Sequence, residues 1–433
     1  MSKAKVGVVA LGCDKNRVDS ENMIGFLSRE FDIVSDYADA DVVIINTCSF
    51  ISSAVKESID AIMEAASHRV KVIVTGCLPM RYPEIAAKNM MPEVSAFLDN
   101  QHYATICDTV YNVLEGGKET RVNEGDKVLS TSPDRVLTTP MHYAYLKIAE
   151  GCNNRCAFCA IPYIRGHYVS NPLEELVAEA ERLVDNGVEE LILVAQDVTR
   201  YNDHGRTLTD LLDALEKTEV RRIRLMYCYP ELVTKELLDR VERDPKLVKY
   251  LDIPMQHASD AVLRNMRRRS TRAGLEEMMD YIRDHTSITV RSTFMVGFPG
   301  ESEEDVESLV EFLDKYRIEY AGFFPYYREE GTPAYDFPEQ VPARVKTQRL
   351  KRVEKVQSKI MEDIADSYVG STIEVTADVI DYDRGCFVGH ADWQHPEIDN
   401  KVYFTADFVV NCGQRYTVRI ESRDKLDLVG VAI

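Results

Sequence analysis

The chain carries one tryptophan in 433 residues, no internal repeat and no low-complexity tract. It also has no apolar run near the ~18 residues that a membrane helix requires. These absences set aside solenoids and helical membrane proteins. Positive charge is also scarce: 52 Lys and Arg stand against 72 Asp and Glu, a formal net charge of −20. So acidic a surface does not hold nucleic acid as a whole, although a local basic groove remains open and a basic protein partner would suit it. Nor is an export signal expected, since none in the sequence is convincing. Lys3, Lys5, an apolar run from Val6 and then Leu11-Gly12-Cys13 loosely imitate a lipoprotein leader. The run stops at Asp14-Lys15, short of an h-region of ~7–15 residues, and reads as a buried first strand. The expected compartment is the cytoplasm, with no membrane contact. Ten cysteines are present, but a long chain without an export signal does not use them as a disulfide framework.

The length predicts two or three domains of ~100–200 residues each. The first third alternates helical segments with apolar runs at 6–11, 41–46 (DVVIIN) and 70–75 (VKVIVT). Such runs fit parallel strands buried on both faces, a Rossmann-like arrangement. Residues 115–140 turn polar and read as a linker. A second alternation gives six strand-like runs, at 143–149, 190–195, 222–227, 250–253, 289–296 and 320–325. Six β/α units make an open, partial barrel whose chemistry belongs at the strand C-termini. The clearest intervening helix is expected after Asn171 as N-cap and Pro172 as first helical residue, with Gly187 as its stop. A basic helical stretch follows the sixth run. From Gly370 onward, EVTADVI, KVYF, DFVV and YTVRI are parted by turns and suggest a small β-barrel. The fold class is therefore α/β, with expected limits of 1–125, a linker at 126–140, 141–366 and 367–433.

The strongest local signal is Cys152-Asn-Asn-Arg-Cys156-Ala-Phe-Cys159, directly after the first barrel strand. Three thiolates within eight residues can bind three corners of a cubane cluster and leave the fourth iron to a substrate. The alternatives are a zinc site that borrows His167, or three buried thiols. Gln196 and Asp197, after the second barrel strand, are candidate contacts to a cofactor or substrate. In Gly297-Phe298-Pro299-Gly300-Glu301, after the fifth, the glycines allow backbone to approach a ligand, though a turn opening a helix reads equally well.

Cys13, Cys48 and Cys77 each fall at or just after the end of an N-terminal strand. Parallel strands end on one edge, so the three can converge there. Spacing alone leaves buried structural thiols open as the alternative. Asn16, Asp19 and Glu21 are expected to cap the first helix. Core filling is the expected role of Cys107, Cys228, Cys386 and Cys412.

Together, LGCDKNRVDSE, NTCSFI, TGCLPMRY, LKIAEGCNNRCAFCAIPYIRG, AQDVTRY, YLDIPMQHASD, FMVGFPGE and EEGTPAY resemble the methylthiotransferase family of radical S-adenosylmethionine (SAM) enzymes along nearly the whole chain. The resemblance implies an auxiliary [4Fe-4S] cluster on Cys13, Cys48 and Cys77 and a radical SAM [4Fe-4S] cluster on Cys152, Cys156 and Cys159. It also implies S-adenosyl-L-methionine as cosubstrate, a C-terminal TRAM barrel, a flavodoxin- or ferredoxin-type electron donor and a sulfur source. Within the family the chain is most similar to the branch that modifies an aspartate β-carbon in protein twelve of the small ribosomal subunit. It departs from that branch at Asp14, Ser49 and Val198, where proline, glycine and threonine are usual. The neighbouring branch modifies tRNA adenosine, and a non-catalytic RNA- or ribosome-binding metal protein is the distant alternative. Charge gives a separate check. Residues 367–433 hold eleven acidic and six basic side chains, a net of −5. That suits a basic protein or the ribosome better than tRNA phosphates.

Overall fold

A computed structural model describes residues 3–122 and 131–433. The first sheet contains β1 (Lys5–Ala10), β2 (Asp32–Val34), β3 (Val42–Thr47), β4 (Lys71–Gly76), β5 (Val94–Leu98) and β6 (Glu119–Arg121). All are parallel, in the order β2-β1-β3-β4-β5-β6. β3 is buried at every position, as its unbroken apolar run requires. β6 lies inside the segment expected to be linker, where its three residues extend the sheet beside β5. Residues 123–130 of that expected linker lie outside the described residues. Its remainder is a packed connector: Arg135 bonds Glu21 at 2.6 Å and Glu179 at 2.6 Å, joining the first domain to the second.

Helix α1 (Asp14–Leu27) follows β1 and is buried along most of its length. Its polar residues do not cap it, contrary to expectation. Asn16, Asp19 and Glu21 are all at most 2% exposed. Asn16 bonds the carbonyls of Leu11 and Thr47, and Glu21 accepts from Arg135 and Thr138. The helix is wedged between its own sheet and the next domain, so its polar face seals an interface.

The second sheet runs β7 (Tyr143–Lys147), β8 (Glu190–Val194), β9 (Arg222–Leu225), β10 (Leu247–Asp252), β11 (Thr289–Val296) and β12 (Tyr320–Pro325). Each strand pairs in parallel with the next, and the sheet stays open. Residues alternate between faces with period two. Ala144, Leu146, Leu191, Leu193, Ile223 and Leu225 pack in the main core with apolar residues of the flanking helices. Tyr143, Tyr145, Ile192, Val194, Met226 and Tyr250 form a second cluster that includes Val18 of α1. Helix α2 (Leu173–Asp185) starts one residue later than expected. Asn171 donates to the Lys147 carbonyl instead of capping, and the carboxylate of Asp203 accepts the first helical N–H at 3.0 Å. Gly187 supplies the stop with φ +98°.

Helix α3 (Ala343–Tyr368) leads into β13 (Thr372–Asp381), β14 (Cys386–Ala391), β15 (Val402–Thr405), β16 (Arg415–Asp424) and β17 (Asp427–Ala432). These close as β13-β14-β15-β17-β16, antiparallel except for the β15–β17 pair. The segment 407–410 (DFVV) is not a strand. Phe408 and Val409 are exposed, and only Val410 reaches the core. Cys412 is exposed too, so it does not fill a core, whereas Cys228 is fully buried.

The loop between β14 and β15 enters the concave side of the open sheet. Asp399 accepts from Tyr250 Oη at 2.8 Å and pairs with Arg291, while Glu397 accepts from Tyr143 Oη at 2.8 Å. The His395 ring stacks on Tyr145. The floor of the partial barrel is thus closed by the C-terminal domain. Its opposite end, where the strand C-termini lie, is covered by α1.

Candidate functional site

Two groups of three free cysteines stand at strand C-termini on either side of the α1 interface. Each group is positioned by sharp backbone turns. Gly12, Gly76 and Gly151 immediately precede Cys13, Cys77 and Cys152, with φ between +80° and +92°. Glycine is needed there for space as well as angle: a Cβ on Gly12 would lie 2.8 Å from Cys48 Cβ and 3.0 Å from its Sγ. Cys13 and Cys48 therefore sit side by side.

Burial and neighbouring thiols disfavour ionisation of Cys48, Cys77, Cys152 and Cys159. Burial pushes Cys77 up to about 11, with Cys13 and Cys48 adding to the rise and Arg165 opposing it. Burial raises Cys48 likewise. In the second group burial again dominates, lifting Cys152 and Cys159, each further raised by Cys156. Thiols of this kind give up their protons when metal supplies the compensating charge. Among the described residues, no three His, Cys, Asp or Glu side chains converge as ligands of one ion. A cubane takes its three thiolates on three separate irons. His167 is exposed and lies against Asn153, with Nδ1 3.2 Å from Oδ1.

Fixed cations face both groups. Arg165, 1% exposed, reaches Cys77 Sγ at 3.5 Å. It also donates to Glu150 at 2.5 Å, to Asp19 at 3.2 Å and to Asn16. Lys147 completes this buried set by pairing with Asp19 and with Glu150 at 3.2 Å. Burial opposes the charge on Glu150, but Arg165 and Lys147 outweigh it and hold the carboxyl far below the usual range. Two acids and two bases thus tie the strand end before Cys152 to the helix after Cys13. Arg268 plays the corresponding part beside the second group, 3.8 Å from Cys156 Sγ and over the Tyr229 ring; Tyr229 Oη is 3.3 Å from the same sulfur. Sequence reasoning missed these residues. The available signal was charge inside strand-like segments, as at Lys147 and Glu150.

Around the strand C-termini, several buried polar atoms have no partner: Gln196 Oε1, Asp252 Oδ1, Gln256 Oε1 and Arg268 Nε. Unsatisfied buried atoms are costly, and their grouping is what a polar ligand would resolve. Gln196 is tethered through Nε2 to Glu150 at 2.9 Å, leaving its oxygen to the site. Asp197 is fully engaged, accepting from Asn154, Thr199 and Arg200, and so orients the loop that bears Cys152. At Gly297 the close approach is made by Lys346 of α3. Glu301 accepts from Gly297 N–H and Arg349, both at 2.7 Å, and its other oxygen faces His257 at 3.3 Å. Gly300 N–H bonds the Glu339 carbonyl, and Pro299 lies in the same turn. The 297–301 segment is thus engaged in packing α3. Glu301 Oε1 and His257 Nε2 nevertheless lack a hydrogen bond, as do the buried atoms of Gln196, Asp252, Gln256 and Arg268.

Comparison with known proteins agrees with this layout. Residues 146–313 match the Radical SAM superfamily, residues 5–99 match Uncharacterized protein family UPF0004, and residues 369–433 match the TRAM domain. The chain is 40% identical to the ribosomal protein uS12 methylthiotransferase RimO of Clostridium tetani, over 100% of this chain and 98% of the relative. It is 41% identical to the protein of the same name from Caldanaerobacter subterraneus subsp. tengcongensis, covering 98% and 99%. In fold it is similar to the radical SAM methyltransferase TsrM from Kitasatospora setae, at TM-score 0.57, 15% identity and 77% coverage of each chain. It is also similar to the cobalamin-dependent radical SAM enzyme OxsB, at TM-score 0.52, 12% identity and coverage of 82% and 56%. Among the described residues no helix is long and apolar enough to cross a membrane. With two cysteine triads on facing strand ends, a radical SAM core and full-length identity at this level, the chain belongs to the uS12 methylthiotransferase (RimO) family of radical SAM enzymes.

Proposed function

We propose that this enzyme replaces a β-hydrogen of an aspartate in ribosomal protein uS12 with a methylthio group. The observation that carries the reading is the pair of cysteine triads, free of disulfides and joined across α1 by Arg165, which reaches from one side to Cys77 on the other. Cys152, Cys156 and Cys159 would hold one [4Fe-4S] cluster, and Cys13, Cys48 and Cys77 the other. When bound, these clusters supply the electron that splits SAM into methionine and a 5′-deoxyadenosyl radical, and the site at which sulfur is delivered; a second SAM provides the methyl group.

The chain's own contribution is alignment and exclusion of water. Asp197 fixes Asn154 and Arg200 beside the Cys152 loop, and Gln196 and Gln256 offer unpaired oxygens to ligand donors. Arg165 and Arg268 present positive charge to the anionic thiolates. The loop around Asp399 closes the barrel floor and so keeps water from that side of the site. The net −5 of residues 367–433 favours a basic protein substrate over tRNA. A flavodoxin- or ferredoxin-type reductant and a separate sulfur source belong to the same reading, as do domain limits near residues 125, 140 and 366.

The test is anaerobic incubation of the reconstituted enzyme with SAM, reductant and either a uS12 peptide or tRNA, followed by mass spectrometry. The methylthio group should appear on the aspartate of the peptide. Its appearance on tRNA alone would move the enzyme to the neighbouring branch.

A further inference from the structure

Lys15 stands two residues beyond Cys13 in the first turn of α1 and is only 7% exposed. An ammonium taken out of water costs several kcal/mol unless something compensates it. Most other buried cations pair with carboxylates: Lys147 with Asp19 and Glu150, Arg135 with Glu21 and Glu179, Arg224 with Glu190, and Arg349 with Glu301, while Arg268 bonds the Pro254 carbonyl and faces Cys156. Lys15 has no hydrogen bond and no ion pair among the described residues. Its Nζ lies 3.6 Å from the centroid of the Tyr227 ring, a contact too weak to offset burial alone.

The surroundings hold this cation in place with no carboxylate at ion-pair distance, although its charge acts on Asp252 and opposes the effect of burial there. Tyr227, at φ +57°, uses its Oη to bond Asp14 at 3.0 Å and its N–H to bond Asp252 at 3.2 Å. Asp252 keeps its second oxygen unpaired and buried. Burial also pushes its carboxyl up to about 6, so a second carboxylate arriving beside it meets a group ready to take a proton and donate a hydrogen bond.

We propose that Lys15 is the specificity-determining cation that receives the carboxylate of the substrate aspartate. This deepens the uS12 reading and rests on it. The carbon that gains sulfur is bonded directly to the carboxyl carbon. Wherever Cys13, Cys48 and Cys77 place the sulfur, the carboxylate must lie a few ångströms away. Lys15 is the unpaired buried cation at that place, and the first-turn N–H groups of α1 add partial positive charge beside it.

The test uses reconstituted holoenzyme and two uS12 peptides that differ only by asparagine in place of the target aspartate. Fluorescence anisotropy gives affinity and mass spectrometry gives product. Wild-type enzyme should bind the aspartate peptide about 10- to 100-fold more tightly than the asparagine peptide, the range of one charge-assisted hydrogen bond. Lys15→Met, which keeps the length over the Tyr227 ring, should lose that preference, and Lys15→Arg should restore part of it. Equal binding of the two peptides by wild type, or full discrimination by Lys15→Met, would overturn the assignment of Lys15 while leaving the uS12 reading intact. A wild-type enzyme that neither binds nor modifies the aspartate peptide would overturn both.

Discussion

Replacing Arg165 with methionine probes the join between the two halves of the site. In the native chain Arg165 and Lys147 balance Asp19 and Glu150 in a set no more than 5% exposed. Without the guanidinium, two buried carboxylates share one ammonium, and Asn16 and Cys77 lose a donor. Breaking a buried charge set by removing one partner costs about 3–5 kcal/mol. That is a large part of the ~5–15 kcal/mol typical of a folded domain. Urea denaturation of the cluster-free chain, followed by circular dichroism, should show the earliest transition moving to lower urea by this amount. Adding Glu150→Gln leaves Lys147 paired with Asp19, so the double variant should recover about 1–3 kcal/mol. A loss below about 1 kcal/mol for Arg165→Met, or no recovery in the double variant, would refute the charge-balance argument.

Asp252 gives a pH test. Its folded-state value, about 6, is raised above the ordinary 3.8 by burial, so the stability tied to its proton is complete below 3.8 and lost as pH rises through 6. Asp252→Asn should therefore be more stable than wild type by about 2–3 kcal/mol at pH 8 and no more stable near pH 4 in paired urea titrations. Asp399→Ala would leave Arg291 without its carboxylate and Tyr250 without its acceptor, lowering stability by about 2–4 kcal/mol in the same assay. Alanine at Cys152, Cys156 and Cys159 should halve the iron content after reconstitution and abolish 5′-deoxyadenosine formation.

The parts of this molecule that were readable in the sequence are those set by local pattern. The strands of the second sheet appear as apolar runs because both faces of the first three are buried throughout and the others are largely or partly buried, and the cysteine-bearing loops are marked by Gly-Cys at positions 12–13, 76–77 and 151–152. β2, β5 and β6 escaped notice because they are only three to five residues long and all three lie at or beside a sheet edge. The segment 407–410 has strand composition, but its exposed Phe408 and Val409 find no neighbouring strand. Long-range polar pairing was the least visible feature. Asn171 has the composition of a cap, yet Asp203, thirty residues on, takes that place. Likewise the polar residues of α1 acquire meaning only when Lys147, Arg135 and Arg165 arrive from elsewhere in the chain.

The central claim is that the two cysteine triads do different work in one site. Its most direct test is a variant with alanine at Cys13, Cys48 and Cys77, reconstituted anaerobically and given SAM, reductant and the uS12 peptide. Circular dichroism and SAM affinity matching wild type would establish that it is folded. It should still form 5′-deoxyadenosine yet leave the peptide without a methylthio group, because nothing would hold sulfur beside the carbon radical, an alignment worth ~7–11 kcal/mol of barrier. A folded variant that still attaches the methylthio group would contradict the account.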